Sequence, residues 1–345
     1  MRIEPGTVRA PEIGRVWLNS PPLSFRQLRG RVVLVDFWDY TCVNCIRTLP
    51  YVQAWHDRYA DKGLTVIGVH TPEFTFAQYT SNVERGVQEF GLTYPIVIDS
   101  DYEIWKMFAC RCWPTKYLVD KEGYLRYAHF GEDAYRECEQ TIQDLLREID
   151  AGISLPPLME PVRAEDRPGA VCYPASPELY LGHRRGKIGN LNGFHEDKIA
   201  EYAFSGDPQD GVFYASGQWA STAEYLEAAG DGPHRIQVKY AASGVNLVMA
   251  SPRSTSSEVR LWLDGAPLRS RDAATDVRFR QLDGAEESYV VVNQARMYTL
   301  VASDRFGSHT LELDCPAGLA LFAFTFTSCV DSDLSAVSAA APYQP

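Results

Sequence analysis

A short, almost uninterrupted apolar run directly before two cysteines constrains the fold of this chain more than any other feature. Residues 31–38 read RVVLVDFW, which is typical of a strand buried on both faces of a sheet. Apolar residues then recur three and four positions apart from Cys45 to Tyr59, a spacing that predicts an amphipathic helix. Cys42 and Cys45 therefore lie where a buried strand turns into a helix.

Strands and helices alternate through the rest of the first 152 residues. Elements in this order are typical of a parallel sheet with helical crossovers, so the sequence predicts an α/β domain at 1–152. The predicted elements after the first helix are strands at 64–70 and 94–98, a helix at 74–90, a hairpin at 117–129 and a closing helix that ends at Gly152.

Prolines and mixed charges interrupt the pattern at residues 153–170, which is typical of a linker between domains. Beyond it, short strands recur between clusters of Gly, Asp, Ser and Pro. This pattern predicts an all-β sandwich of the jelly-roll kind at 171–331 and a loose tail at 332–345. The predicted strands include 235–240, 244–250, 258–263, 289–292, 297–302, 309–313 and 319–326.

The charge and the apolar segments of the chain argue against several classes of partner. A net charge of −12 gives no attraction to phosphate backbones or anionic lipids, so nucleic acid is not expected to bind. No segment approaches the ~20 apolar residues that span a bilayer, and membrane insertion is not expected. Residues 1–10 lack the apolar stretch of a secretory signal, which predicts a cytoplasmic protein if Met1 is the native start.

The sequence CVNC at 42–45 carries the predicted chemistry. At a helix N-terminus, free N–H groups favour a thiolate, which makes Cys42 the expected nucleophile with a pKa below the ~8.5 of a free thiol. Cys45, one turn later, is placed to attack a mixed disulfide on Cys42 and release a reduced partner. A structural disulfide or half of a zinc site is the alternative. The leading interpretation requires no cofactor and no metal.

Several residues around this motif match one family. The first domain resembles TlpA-type thioredoxin-like proteins: Asp36 matches the buried acid of thioredoxins, Pro50 the proline that kinks the first helix, and Glu73 an acid kept near the active site. The sequence WPT at 113–115 matches the loop whose cis-proline, here Pro114, packs against the two cysteines. The resemblance therefore implies catalytic roles for Asp36, Glu73 and Pro114 beside the cysteines.

The combined motifs and the β-rich second half are most similar to the soluble C-terminal portion of DipZ proteins. That resemblance implies a thioredoxin-like domain joined to a domain that resembles a carbohydrate-binding module. It implies a thiol–disulfide oxidoreductase acting on protein thiols and disulfides. In that family the soluble part follows a membrane-spanning electron-transfer domain and works outside the cytoplasm, so an extracytoplasmic location is the alternative. The sequence does not identify the upstream electron donor.

The surface on which a partner would dock is less well specified. Val43 and Asn44, between the cysteines, and the aromatic residues Trp38, Tyr40 and Trp113 are candidates for an apolar rim that contacts the partner. Core packing explains tryptophans next to a strand equally well. We retain Trp38, Val43, Asn44 and Trp113 as the predicted substrate-binding residues.

Six further cysteines lie outside the motif. Cys110 and Cys112 precede Pro114, so an auxiliary redox pair is one hypothesis, a metal site with the CVNC cysteines a second, and plain substitution in a loop a third. Cys138 lies on the apolar stripe of its helix and is expected to be buried. Cys172, Cys315 and Cys329 lie in the β domain with no motif around them, and a bridge between Cys315 and Cys329 is conceivable.

Two other functions compete with disulfide exchange. The β domain is a candidate for binding a glycan or a protein, with the redox site as an accessory. Four of its aromatic residues are candidates for stacking on sugar rings, although alternation along the strands places such residues inside a sandwich more often than on it: Trp219, Tyr240, Trp262 and Tyr298. A peroxide-reducing enzyme of the peroxiredoxin type is disfavoured. That chemistry wants a threonine three residues before a lone cysteine, whereas Asp39 holds this position and Cys45 follows.

Overall fold

The computed structural model describes residues 1–14, 16–251, 256–282 and 284–330, so the predicted tail at 332–345 lies outside the described residues. It separates into a compact unit Met1–Val162 and a second unit that starts at Arg163. The predicted linker, 153–170, spans this division. None of the helices in the described ranges is both long and apolar enough to cross a membrane.

The first unit is a mixed sheet with helices against it. Its strand order is β1-β4-β3-β2-β5-β6, in which β2 pairs in parallel with β3 and antiparallel with β5. The strands are β1 (Trp17–Leu18), β2 (Val32–Trp38), β3 (Leu64–His70), β4 (Ile96–Ile98), β5 (Thr115–Val119) and β6 (Leu125–Phe130). The helices are α1 (Val43–Tyr59), α2 (Thr80–Glu89), α3 (Glu103–Met107) and α4 (Tyr135–Ile149).

Strand β2 is the centre of this sheet, and every one of its residues is buried. Successive side chains of a strand point to opposite faces. Leu34 and Trp38 join the apolar cluster that includes Cys45, whereas Val35 and Phe37 join the cluster on the other face. Asp36 therefore points to the same side of the sheet as Cys45.

The second unit is built from antiparallel strands, with a long path of paired neighbours from β15 to β8. The strands are β7 (Val171–Cys172), β8 (Leu179–Tyr180), β9 (Ile199–Tyr202), β10 (Phe213–Ser221), β11 (Leu226–Ala228), β12 (His234–Ala250), β13 (Ser257–Leu263), β14 (Ala266–Pro267), β15 (Val277–Leu282), β16 (Ala285–Val292), β17 (Arg296–Cys315), β18 (Ala320–Thr327) and β19 (Cys329–Val330).

Two of these strands are longer than the sequence predicts. The segments 235–240 and 244–250 belong to the single strand β12, and 297–302 and 309–313 belong to β17. The register of the β12–β17 pair shifts between Ala242 and Gly244. A shift of this kind lets a strand bend without ending, which explains why polar and glycine residues inside these strands imitate a turn.

The cysteines and the aromatic residues of the second unit bear on two of the hypotheses drawn from the sequence. Cys329 is bonded to Cys172, which lies opposite it across β7 and β19, and Cys315 is free and buried. The Cys315–Cys329 bridge is therefore wrong. Of the aromatic candidates for sugar stacking, three are fully buried in the core, and they are Trp219, Tyr240 and Tyr298.

Candidate active site

Strand β2 and helix α1 place the two cysteines of the CVNC motif. Cys42 is the N-cap residue of α1 with an extended backbone, and its sulfur accepts the Cys45 backbone N–H at 3.3 Å. Cys42 is half-buried, whereas Cys45, one turn into the helix, has no exposed surface. Of these two cysteines, only Cys42 is accessible to another molecule.

The surroundings of the Cys42 thiol correct the expectation of a low pKa. Burial raises the pKa of Cys42, and the negative charges of Glu73 and Asp39 add to the rise. The hydrogen bonds from Cys45 lower the pKa and do not offset these two effects. The helix N-terminus alone therefore does not determine the pKa of Cys42, because burial and, to a smaller extent, two neighbouring carboxylates oppose it.

The Cys45 thiol is still harder to ionise. Complete burial raises the pKa of Cys45 well above its usual value, and the Cys42 and Asp36 side chains raise it further. The order of the two thiols is thus the one that the sequence predicts, since Cys42 is the more exposed and Cys45 the more strongly protonated. Cys45 needs a proton acceptor before it can react.

Asp36 is fully buried, and neither carboxylate oxygen has a hydrogen-bond partner among the described residues. Burial raises the pKa of Asp36 to about 7, and the positive charge of Lys116 acts in the opposite direction. Lys116 lies directly opposite Asp36 in the β2–β5 pair and is itself fully buried, with its Nζ 3.2 Å from the Gly131 carbonyl oxygen. A buried aspartate and a buried lysine thus lie opposite each other on the face of the sheet that carries Cys45.

Sequence reasoning missed Lys116, although a signal was present. The residue lies two positions before Leu118, so alternation along β5 puts both on the same face of the sheet. Leu118 packs in the cluster that contains Cys45. A lysine at such a position would ordinarily be taken for the polar side of an exposed strand.

Glu73 and Pro114 both lie at the site. Glu73 is half-buried, its backbone N–H donates to Asp39 Oδ2 at 3.0 Å, and its charge acts on Cys42. The Trp113–Pro114 peptide bond is cis, as the sequence predicts. The Pro114 carbonyl accepts the Gly131 N–H. Across the cis bond, the backbone N–H and carbonyl of Trp113 have no hydrogen-bond partner among the described residues.

The four predicted substrate-binding residues divide into two groups. Val43, Asn44 and Trp113 are half-buried and can contact a partner. The Trp113 indole N–H donates to the Thr71 carbonyl oxygen at 3.0 Å, which fixes the ring beside the site. Trp38 is completely buried, so its predicted role in docking is wrong. The even-numbered residues of β2 point into the core beneath α1, so the Trp38 side chain has no exposed surface for a partner to contact.

The two cysteines before Pro114 lie in different surroundings. Cys110 is buried in the cluster on the opposite face of the sheet from Cys45, and burial raises its pKa. Cys112 is half-buried, with its sulfur 3.8 Å from the Thr115 hydroxyl. Cys138 is fully buried in α4, as predicted. Within the described ranges, no three His, Cys, Asp or Glu side chains are grouped in a way that would hold a metal ion.

The chain is similar to several known proteins and families. Residues 9–128 match the AhpC/TSA family, and residues 176–327 match a family described as thioredoxin like C-terminal domain. Protein DipZ of Mycobacterium tuberculosis is 33% identical over 325 residues, which cover 92% of this chain. The chain is a homologue of DipZ. Its N-terminal part has the thioredoxin-like fold that the motifs predict.

This chain corresponds to only part of DipZ, since the alignment spans 42% of the DipZ sequence. Thiol-disulfide oxidoreductase YkuV of Bacillus subtilis is 27% identical over 136 residues, covering 39% of this chain and 91% of YkuV. A solved structure of a thiol-disulfide isomerase from Corynebacterium glutamicum is 26% identical, with a TM-score of 0.37, and covers 40% of this chain and 96% of that protein.

Proposed function

We propose that this DipZ homologue is a thiol–disulfide oxidoreductase that reduces or isomerises disulfides in protein partners through Cys42 and Cys45. The observation that carries the proposal is a half-buried Cys42, whose sulfur accepts the Cys45 N–H, above a fully buried Cys45. Homology to proteins named thiol-disulfide oxidoreductases supports the same chemistry.

The first step is attack by the Cys42 thiolate on a disulfide of the partner. A bond forms between Cys42 Sγ and one partner sulfur, and the second partner sulfur leaves as a thiolate that takes a proton from water. The Cys45 N–H stabilises charge on Cys42 Sγ. We place the partner's chain beside Trp113, whose backbone N–H and carbonyl are available for an added strand.

The second step is resolution by Cys45. Asp36 accepts the Cys45 proton, and the Cys45 sulfur then attacks Cys42 Sγ and expels the other partner sulfur as a thiolate, which takes a proton from water. A pKa of about 7 suits Asp36 to this exchange near neutral pH. The partner gains two electrons and two protons, and the Cys42–Cys45 disulfide that remains must be reduced by a dithiol donor.

The second unit and the location of the protein complete the proposal. We propose that the antiparallel unit is a jelly-roll sandwich. We assign it to accessory binding of a protein or a glycan. Trp262 is the aromatic residue among the four candidates that is not fully buried. The Cys172–Cys329 disulfide favours an oxidising, extracytoplasmic compartment over the cytoplasm, because such bonds persist where thiols are not kept reduced.

Peroxide reduction remains the second candidate, because residues 9–128 match the AhpC/TSA family. Disulfide exchange is favoured by the resolving thiol at Cys45, which is one turn from Cys42 and buried. Reduction of hydrogen peroxide by the purified protein at a rate above its insulin reduction would reverse this order.

Trapping of a mixed disulfide tests the proposed function. Cys45→Ser should retain a covalent complex with a disulfide-containing protein such as insulin, because the bond to Cys42 can form and cannot be resolved. Cys42→Ser should trap none. Trapping by Cys42→Ser alone would reverse the assigned roles, and trapping by neither variant would remove the proposal.

A further inference from the structure

Asp39 is a second buried carboxylate at this site, and the two reaction steps above do not use it. It lies three residues before Cys42 and has no exposed surface. Burial of a carboxylate is costly unless hydrogen bonds compensate it. The donors that compensate Asp39 come from the turn before Cys42 and from the loop after β3. Asp36, by contrast, has no hydrogen-bond donor among the described residues.

The hydrogen bonds of Asp39 join two loops. Its Oδ1 accepts the backbone N–H of Thr41 at 2.6 Å and also the Thr41 hydroxyl. Its Oδ2 accepts the backbone N–H of Glu73 at 3.0 Å, which ties the loop after β3 to the turn before α1. Thr41 and Glu73 both act as donors to Asp39. An ionised carboxylate can accept hydrogen bonds at both oxygens, whereas a protonated carboxyl would need an acceptor for its own O–H. Burial raises the pKa of Asp39, and these hydrogen bonds from Thr41 and Glu73 act in the opposite direction by favouring the carboxylate.

The backbone of Asp39 reaches both cysteines. Its carbonyl oxygen accepts the Cys42 N–H at 3.3 Å. A backbone hydrogen bond also joins Asp39 to the Cys45 thiol. A change at this residue would consequently be felt by the nucleophile and by the resolving thiol.

We propose that Asp39 is a positioning residue that locks the turn before Cys42 to the loop carrying Glu73 and disfavours the Cys42 thiolate. The proposal rests on the function proposed above and adds the control of its first step. Cys42 is held as a thiol at neutral pH, so that only a fraction of the molecules is nucleophilic at a given moment.

Other ionisable groups around Asp39 and Cys42 act on the same equilibrium. His70 Nε2 of β3 lies 3.5 Å from Asp39 Oδ2, and burial lowers the pKa of His70 to about 3, so the ring is neutral and does not cancel the charge. Glu73 acts on Cys42 in the same direction as Asp39, and Cys45 and Asp36 lie behind Cys42. The effect of Asp39 is lost as the pH falls through the pKa of its carboxyl, which burial raises above the usual aspartate value.

The test is the pH profile of Cys42 alkylation in the full chain, read by mass spectrometry. Asp39→Asn removes the negative charge with little change in volume, so the pKa of Cys42 should fall and the profile should move down by about one pH unit. The alkylation rate at pH 7 should then rise about threefold, since a gain in thiolate is partly offset by its lower nucleophilicity.

Asp99→Asn is a matched control. Asp99 is nearly fully buried in the same unit and also accepts hydrogen bonds from two backbone N–H groups, those of Ile104 and Trp105, and from the Thr71 hydroxyl. Its charge is not among those that act on Cys42. The Cys42 profile of Asp99→Asn should match that of the unaltered protein. An unmoved profile in a folded Asp39→Asn protein, or equal movement in both variants, would overturn the proposal.

A measurement on the unaltered protein covers the case in which Asp39→Asn does not fold. The carboxyl ¹³C resonance of Asp39 in the reduced protein should shift a second time as Cys42 titrates, and this shift should vanish in the oxidised protein. A resonance that ignores the state of Cys42 would overturn the proposal. Neither readout needs turnover, so failure of disulfide exchange and failure of the Asp39 inference are told apart.

Discussion

Two pairs of closely spaced cysteines lie in the first unit, and their surroundings differ more than their spacing. Cys42 and Cys45 begin a helix, with a backbone N–H on the Cys42 sulfur and a buried acid behind. Cys110 points into an aromatic and aliphatic cluster on the other face of the sheet, while Cys112 is half-buried. The comparison teaches that hydrogen-bond donors and a proton acceptor, rather than neighbouring thiols, define the redox site.

Removal of each pair should give the largest contrast. Cys42→Ser should lower insulin-disulfide reduction by at least about a thousandfold, because the nucleophile is gone. The double variant Cys110→Ser with Cys112→Ser should keep the rate and the midpoint potential of the Cys42–Cys45 pair. Turbidity of reduced insulin and a redox titration measure the two quantities.

The double variant of Cys110 and Cys112 should be less stable than the unaltered protein. Because Cys110 is buried among apolar side chains, a serine there leaves a hydroxyl to be satisfied and should lower the free energy of unfolding by about 1–3 kcal/mol. A midpoint that moves in the double variant would make Cys110 and Cys112 an auxiliary redox pair after all.

Asp36→Asn should separate catalysis from stability. The resolving step should slow by about a hundredfold, because Cys45 loses its proton acceptor. The folded state should become more stable at pH 8 by up to about 4 kcal/mol, since ionising the buried Asp36, with its pKa of about 7, costs free energy that an unfolded chain does not bear.

The sign of the Asp36 effect follows from its raised pKa. As pH rises from the ordinary aspartate value to about 7, the unfolded chain loses this proton first, so stability falls with pH in that window. The gain from Asp36→Asn should therefore vanish below about pH 4. Urea unfolding at the two pH values tests this, and a variant that is slower and also less stable at pH 8 would make Asp36 a structural residue.

Lys116→Met should have a smaller effect on the same step. Loss of the buried positive charge opposite Asp36 should raise the pKa of that carboxyl, and the pH profile of resolution should move up by about half a pH unit. Lys106→Met, at an exposed position of α3, is the control. Identical profiles for the two variants would exclude Lys116 from the site.

Much of the first unit could be predicted from sequence, because local patterns reflect local causes. The apolar run of β2 and the helical spacing after Cys45 placed the two thiols correctly, and their relative burial followed. The direction of the Cys42 pKa shift could not be predicted, since it depends first on burial and then on Glu73 and Asp39, which reach the thiol from a distant loop and from an adjacent turn. Trp38 was misplaced because adjacency to the motif says nothing about which face of β2 a side chain occupies.

The second unit was harder to predict because its determinants are not local. Whether polar residues end a strand or lie in a bend depends on the partner strand, as the shifted register of β12 and β17 shows. Cys172 and Cys329 are 157 residues apart, and three cysteines allow three pairings that spacing cannot separate.

The central claim is that an accessible nucleophile, Cys42, stands over a protected resolving thiol, Cys45. The most direct test is alkylation of the reduced, unaltered protein with iodoacetamide, with mass spectrometry following each cysteine over time. Cys42 should react more than about a hundredfold faster than Cys45, which is fully buried and has the higher pKa. Equal rates at the two cysteines, or faster reaction at Cys45, would contradict the account.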